Sequence, residues 1–542
     1  MTSPGAVATG SRAGPGPSGP VTGAPRRAWT PRRRSRPIVL TICSALIAAA
    51  LALPLLFLLI EAKGAGIQTI LNLIFRSLTW DLLWNTMRLL VTVTALSAVL
   101  GTAAAWCVER TDLPGRRVWA VLVVVPLAIP DFVVSFGWFS LWSWVQGFRG
   151  AVIVMTLAIY PLVYLPVAAS LRSADPGQEE VARSLGTGRI RTFARITLGQ
   201  ARGAILGGCL LAALVLLAEY GAFEILGYQT FTTKIFTEFR AYGGFAAACA
   251  LSLVLVVISM IMLAGEALAR GRGRVSRSGP LAQRQAPPHK LGRARWPVLA
   301  GFAALVLLAL GVPVYSSIYW MLARTTPGIT GGMPLLTAAW HTAIYGVLAA
   351  SLATLAALPI ALLAVRHAGR VRLLLERSTF LVLGMPGIVI AFALSYFVEI
   401  YVRGIGYGSA LVLITCYAIM FFPLALVGVK ASLARAPVRL DEIARSLGQR
   451  KLAVLWRVTL QLAGPGLAAA FCLVFLSVVT ELTATLLLIP TGVQTLATQF
   501  WEYESNLSYG QAAPFALVMI AVAAVPSYVL GRFFDRSAQA RG

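Results

Sequence analysis

Two acidic residues stand where a greasy chain has least use for them: Glu219 in LLAEYGAFEIL and Glu481 in VVTELTATLLLIP, each among apolar neighbours. A carboxylate at membrane depth costs several kcal/mol unless it faces a cavity or finds a partner. Two roles fit: a place on a translocation pathway, or a hydrogen bond tying one helix to another. Glu224 lies nearer the outer end of the same run. Pro130 in PLAIPDFVVSFGW and Pro386 in GMPGIVIAFALSY are candidate helix kinks, because proline frees a carbonyl that only a cavity or a neighbouring helix can satisfy.

Other chemistries lack their residues. Cys43, Cys107, Cys209, Cys249, Cys416 and Cys472 are scattered singly, as are His289, His341 and His367. No pair has metal-ligand or disulfide-framework spacing, so no metal site is expected. A P-loop needs Lys followed by Ser or Thr, and none of Lys63, Lys234, Lys290, Lys430 and Lys451 is. No nucleophile, base and orienting group assemble. The chain is expected to be no enzyme and to bind no cofactor of its own.

The elements that must position these carboxylates are membrane helices. Of 542 residues, 58% are hydrophobic and 12% charged, outside the balance of a soluble domain. Apolar runs long enough to cross about 30 Å of hydrocarbon fall near 38–60, 87–107, 118–138, 150–171, 203–226 and 245–268. A second series falls near 297–320, 343–365, 373–399, 408–429, 463–489 and 513–533. The fold class is therefore all-α and polytopic, with about twelve transmembrane helices. Glu219 and Glu481 are placed inside the fifth span of each series.

The net charge of +26 raises the question of nucleic acid, and the position of the basic residues answers it. With the N-terminus inside, the outer loops hold only Lys63, Arg76, Arg149, Lys234, Arg240, Arg324 and Arg403. Nearly all other Lys and Arg fall on the cytoplasmic side, so the charge reports topology, with both termini cytoplasmic. The reading excludes a nucleic-acid partner and leaves lipid as the surrounding one.

The chain also repeats itself. EEVARSLGTGRIRTFARITL at 179–198 superposes on DEIARSLGQRKLAVLWRVTL at 441–460 with an offset of 262 residues, which also carries Glu219 onto Glu481. WNT at 84–86 matches WHT at 340–342, and Pro130 matches Pro386, at an offset of 256. Each half has an even number of spans, so the halves are parallel, related by a pseudo-twofold axis along the membrane normal. Residues 1–37 read as a disordered cytoplasmic tail, 38–268 as the first half, 269–296 as a Pro/Gly/Arg-rich cytoplasmic linker, 297–534 as the second half and 535–542 as a C-terminal tail.

Both repeated loops lie on the cytoplasmic side between the fourth and fifth spans. Residues 177–185 and 439–447 have the spacing of a short amphipathic helix, ended by Gly186 and Gly448. Here the sequence resembles the permease subunits of bacterial ABC importers, whose signature reads E-A-A, three residues, G, then F-x-x-I-x-L-P. This chain has Glu180, Ala182 and Gly186, then Phe193, Ile196 and Leu198; the second copy has Glu442, Ala444 and Gly448, then Leu455, Val458 and Leu460. The middle alanine is Val181 or Ile443, and the proline is Gly199 or Gln461.

The resemblance implies that each loop docks on a separate ATPase, two copies in all, which holds ATP and Mg, and that an extracytoplasmic binding protein delivers the cargo. It implies a bacterial inner membrane. Two halves fused in one chain look like the ferric-iron permeases, with thiamine, phosphonate and polyamine permeases as alternatives. A competing class is an ion-coupled secondary transporter, which also has parallel halves and would use Glu219 and Glu481 as coupling carboxylates. That class has no use for a duplicated docking loop.

Overall fold

A computed structural model describes residues 38–174, 176–241, 244–270, 288–323, 333–367, 369–402, 408–436 and 438–523. The expected tails 1–37 and 535–542, residues 271–287 of the linker, 524–533 of the last span, Arg324 and Arg403 lie outside the described residues.

Among the described residues, eight helices are long and apolar enough to cross a membrane: Ile38–Gly64, Ser77–Arg110, Gly147–Ser173, Phe193–Ala218 and Phe245–Gly265 in the first half, then Gly292–Ala323, Pro334–Arg366 and Leu452–Val479 in the second. Three further apolar helix pairs are each bent at a short break, and the shorter apolar helix Tyr509–Ala523 runs to the last described residue. These twelve segments match the twelve apolar runs in order.

The proline positions turn out sharper than kinks. Arg116–Ala128 meets Asp131–Phe139 at 92°, and Leu373–Gly384 meets Gly387–Tyr401 at 101°. Pro130 and Pro386 sit at the joints with extended ψ of 137° and 148°. Having no N–H and the wrong ψ to continue a helix, each starts a new one: the carbonyl of Pro130 accepts from Val133 at 2.9 Å, and that of Pro386 from Val389 at 2.9 Å.

Close packing within each half depends on missing side chains. A Cβ on Gly101, in the second span, would lie 2.9 Å from the Tyr160 carbonyl oxygen and the Tyr164 nitrogen, so glycine lets this span lie against the fourth. A Cβ on Gly428 would lie 2.6 Å from that of Ala470. Small residues at such crossings are how helices gain contact where lipid is as apolar as leucine.

The halves meet through aromatic side chains in a reciprocal pattern. Phe132 and Phe136, after the first proline joint, pack on Phe500 of helix Leu496–Ser505 at 5.4 and 5.3 Å between ring centres. In return, Phe392 and Tyr396, after the second joint, pack on Phe239 of helix Phe231–Arg240, both at 5.8 Å. The exchange of like elements is what parallel repeats about a twofold axis produce.

One expectation needs correction. The fifth spans do not run to 226 and 489. Their helices end at Ala218 and Val479, and short helices Gly221–Ile225 and Thr483–Leu488 follow. Glu219 and Glu481 sit at the breaks, not inside a continuous helix. Apolar composition continues across the reversal, so hydropathy extends the span through it.

Candidate docking surface and membrane carboxylates

The repeated loops form helices Pro176–Ser184 and Val438–Ser446. Each ends in the same cap. Gly186, at φ 80°, donates its N–H to the Arg183 carbonyl at 3.0 Å, and Thr187 donates to Ala182 at 3.1 Å. Gly448, at φ 82°, donates to Arg445 at 3.0 Å, and Gln449 to Ala444 at 3.1 Å. These paired bonds satisfy the last carbonyls and require a left-handed residue, which is why glycine stands at both positions.

The outer faces of these helices are apolar and bare: Val181 is 58% exposed, Leu185 78%, Ile443 54% and Leu447 77%. Glu180 and Glu442 are exposed beside them, and Ala182 and Ala444 are half-buried.

The inner faces carry residues that motif reading passed over. Glu179, buried, pairs with Arg110 at 3.2 Å and accepts a hydrogen bond from the Thr197 hydroxyl at 2.9 Å. Asp441 pairs with Arg366 at 3.2 Å and accepts from Thr459 at 2.9 Å. Arg110 and Arg366 are the last residues of the second-span helices. Thr197 and Thr459 close π-helical turns, Phe193–Thr197 and Leu455–Thr459, at the foot of each fifth span. Each clamp ties one of these helices to two spans. The repeat itself held the signal: Arg110 and Arg366 are related by the 256 offset, Glu179 and Asp441 by 262.

The linker approaches only the first of the two helices among the described residues. His289, read from sequence as isolated, donates its backbone N–H to the Arg110 carbonyl at 2.8 Å and accepts from Asp112 at 3.1 Å. Its imidazole Nε2 lies 3.4 Å from Nη2 of Arg183. The end of the linker thus rests beside helix Pro176–Ser184.

At the far ends of the fifth spans, Glu219 Oε1 accepts from the Ala222 N–H at 2.8 Å and Glu481 Oε1 from Ala484 at 3.0 Å. Each carboxylate caps the short helix after the break, satisfying a donor that the reversal would leave bare. These short helices pack on Asp131–Phe139 and Gly387–Tyr401, the arms beyond the proline joints. A Cβ on Gly387 would lie 3.9 Å from Glu481 Oε1. Asp131 and Glu481 both fall within electrostatic reach of Glu219. The sequence pairs only the two glutamates, because the counterpart of Asp131 at the 256 offset is Gly387. The structure brings proline joints, carboxylates and the meeting of the halves into one region.

Parallel helical halves, two bare helices in equivalent loops and carboxylates at breaks in the apolar spans define a multi-pass transport component. The chain belongs to the family described as binding-protein-dependent transport system inner membrane component, which matches residues 97–271 and 352–540, once in each half. It is 36% identical to the Fe(3+)-transport system permease protein FbpB 2 of Haemophilus influenzae, over 92% of this chain and 99% of the relative. The ferric transport system permease protein FbpB of Actinobacillus pleuropneumoniae is 24% identical over 81% of this chain and 69% of its own length. The molybdenum transport system permease protein ModB of Escherichia coli is 28% identical, but 93% of its length matches only 34% of this chain.

Proposed function

We propose that this chain moves ferric iron, delivered by an extracytoplasmic binding protein, through the bacterial inner membrane, and that two copies of a separate ATPase drive it from helices Pro176–Ser184 and Val438–Ser446. Both termini lie in the cytoplasm. The observation that carries the cargo is the match along 92% of the chain to a ferric-iron permease, against a match along only 34% of it to the molybdenum one. The ATPase reading is supported by the bare apolar faces of two helices in the same loop of each half.

Glu219 and Glu481 lie on the pathway in this reading. ATP and Mg stay on the ATPase. Its movement is carried by the Arg110–Glu179–Thr197 and Arg366–Asp441–Thr459 clamps, which join each docking helix to the spans on either side.

Glu180→Lys and Glu442→Lys test the docking. Reversing an exposed charge at the rim of a contact is expected to lower the ATPase retained in a pull-down by about ten-fold. The effect is expected to be larger at Glu442, because the linker end beside Arg183 supports the first helix. Unchanged retention in both variants would remove these helices as the docking surface.

A further inference from the structure

Beyond the breaks, at the end of the fifth spans away from the docking helices, a cavity of about 470 Å³ opens between the halves. Tyr220, Glu224, Phe236 and Arg240 of the first half line it, with Trp501 and Glu504 of the second. Glu504 is only 7% exposed, yet among the described residues its carboxylate has no hydrogen bond or ion pair. Burial of an unpaired carboxylate is costly, and a group of this kind facing a cavity is matched by what the cavity holds. Arg240 makes no ion pair with it among the described residues: its guanidinium lies over the Phe236 ring at 4.7 Å.

The lining favours one class of ligand. Its possible ligands are two carboxylates, a phenol and the hydroxyls of Thr237 and Ser505, with no imidazole or thiol, beside the single guanidinium of Arg240, and oxygen donors suit hard cations. The volume fits an ion with its water: six waters at about 30 Å³ each occupy roughly 180 Å³. Among the described residues no three His, Cys, Asp or Glu side chains converge to hold a metal, so two carboxylates leave an ion's remaining positions to water. The acidic wall is not a by-product of duplication, because Tyr220 and Glu224 correspond at the 262 offset to Leu482 and Leu486. Tyr220, stacked on Phe236 at 4.3 Å and tilted against Trp501 at 5.6 Å, forms a floor one residue from Glu219.

We propose that this cavity is the receiving site for a hard, partly hydrated cation, held between Glu504 and Glu224 above the Tyr220 floor. The identification of the cation as ferric iron rests on the reading above. The helix bearing Glu504 lies outside the spans, and burial, then the charge of Glu224, push its carboxyl up to about 7. Tyr220, Arg240 and Tyr509 are the other ionisable groups around these two. A cation competes with the proton on Glu504, so binding weakens as pH falls through about 7.

Terbium(III), a hard trivalent ion whose emission is excited by a nearby indole, tests the site on the purified full chain without ATPase or binding protein. Wild-type protein is expected to give emission that Trp501→Phe abolishes. Glu504→Gln and Glu224→Gln each weaken binding by at least about ten-fold, and Glu504→Asp keeps it. Glu224 is exposed, so its replacement leaves the packing intact and isolates the charge. Wild-type affinity in both Gln variants, or emission that survives Trp501→Phe, overturns the proposal while leaving the iron reading standing. An intact terbium site in a reconstituted transporter that carries no ferric iron overturns the iron reading and upholds the site.

Discussion

Arg110→Met is expected to lower the melting temperature and abolish ATP-driven uptake together. The guanidinium is the counter-charge of Glu179, which is 6% exposed and would keep only the Thr197 hydroxyl. Removing one partner of a buried pair costs on the order of 3–5 kcal/mol, because the other charge is left behind. Removing both is different. Arg110→Met with Glu179→Leu puts apolar groups in place of the pair, and such replacements are often neutral or stabilising. The double variant should therefore recover its melting temperature and still fail to transport, since the docking helix has lost its tie to the second span. Melting and uptake measured on one preparation separate the two roles, and a double variant that transports like wild type would make the clamp a packing feature only. The same pair of experiments applies at Arg366 and Asp441.

Glu219→Gln combined with Glu481→Gln is expected to lower uptake by at least about ten-fold with little change in stability. Glutamine keeps a carbonyl oxygen, so the N–H groups of Ala222 and Ala484 keep their acceptors at 2.8 and 3.0 Å, and only the charge is lost. Alanine at both positions removes the caps too, at about 1 kcal/mol each. Gln separates the two roles that sequence alone leaves open. Full uptake in a stable Gln variant would leave the carboxylates as caps and take them off the pathway.

The repeated loops were legible from sequence because duplication marks them: Glu180, Gly186, Glu442 and Gly448 recur in register, and the left-handed caps explain the glycines. The clamps were less so. Glu179 and Glu180 are the same residue type side by side, and only the phase of the helix, set by where it begins at Pro176, turns one inward and the other out. The break after Ala218 was hidden because 219–226 stays largely apolar while the chain changes direction. Asp131 was hidden for another reason, since the comparison of halves that exposed Glu219 and Glu481 places glycine opposite it. The cavity around Glu504 draws on residues from both halves, some 280 positions apart in the chain, and no local pattern joins them.

The most direct measurement is uptake of ferric iron into liposomes containing this chain, with the ATPase and the loaded binding protein supplied separately. We expect uptake only when ATP, ATPase and binding protein are all present, and its loss in Glu180→Lys/Glu442→Lys. Uptake that continues without the ATPase and follows an imposed proton or sodium gradient would contradict an ATP-driven permease and make Glu219 and Glu481 the coupling groups of a secondary transporter.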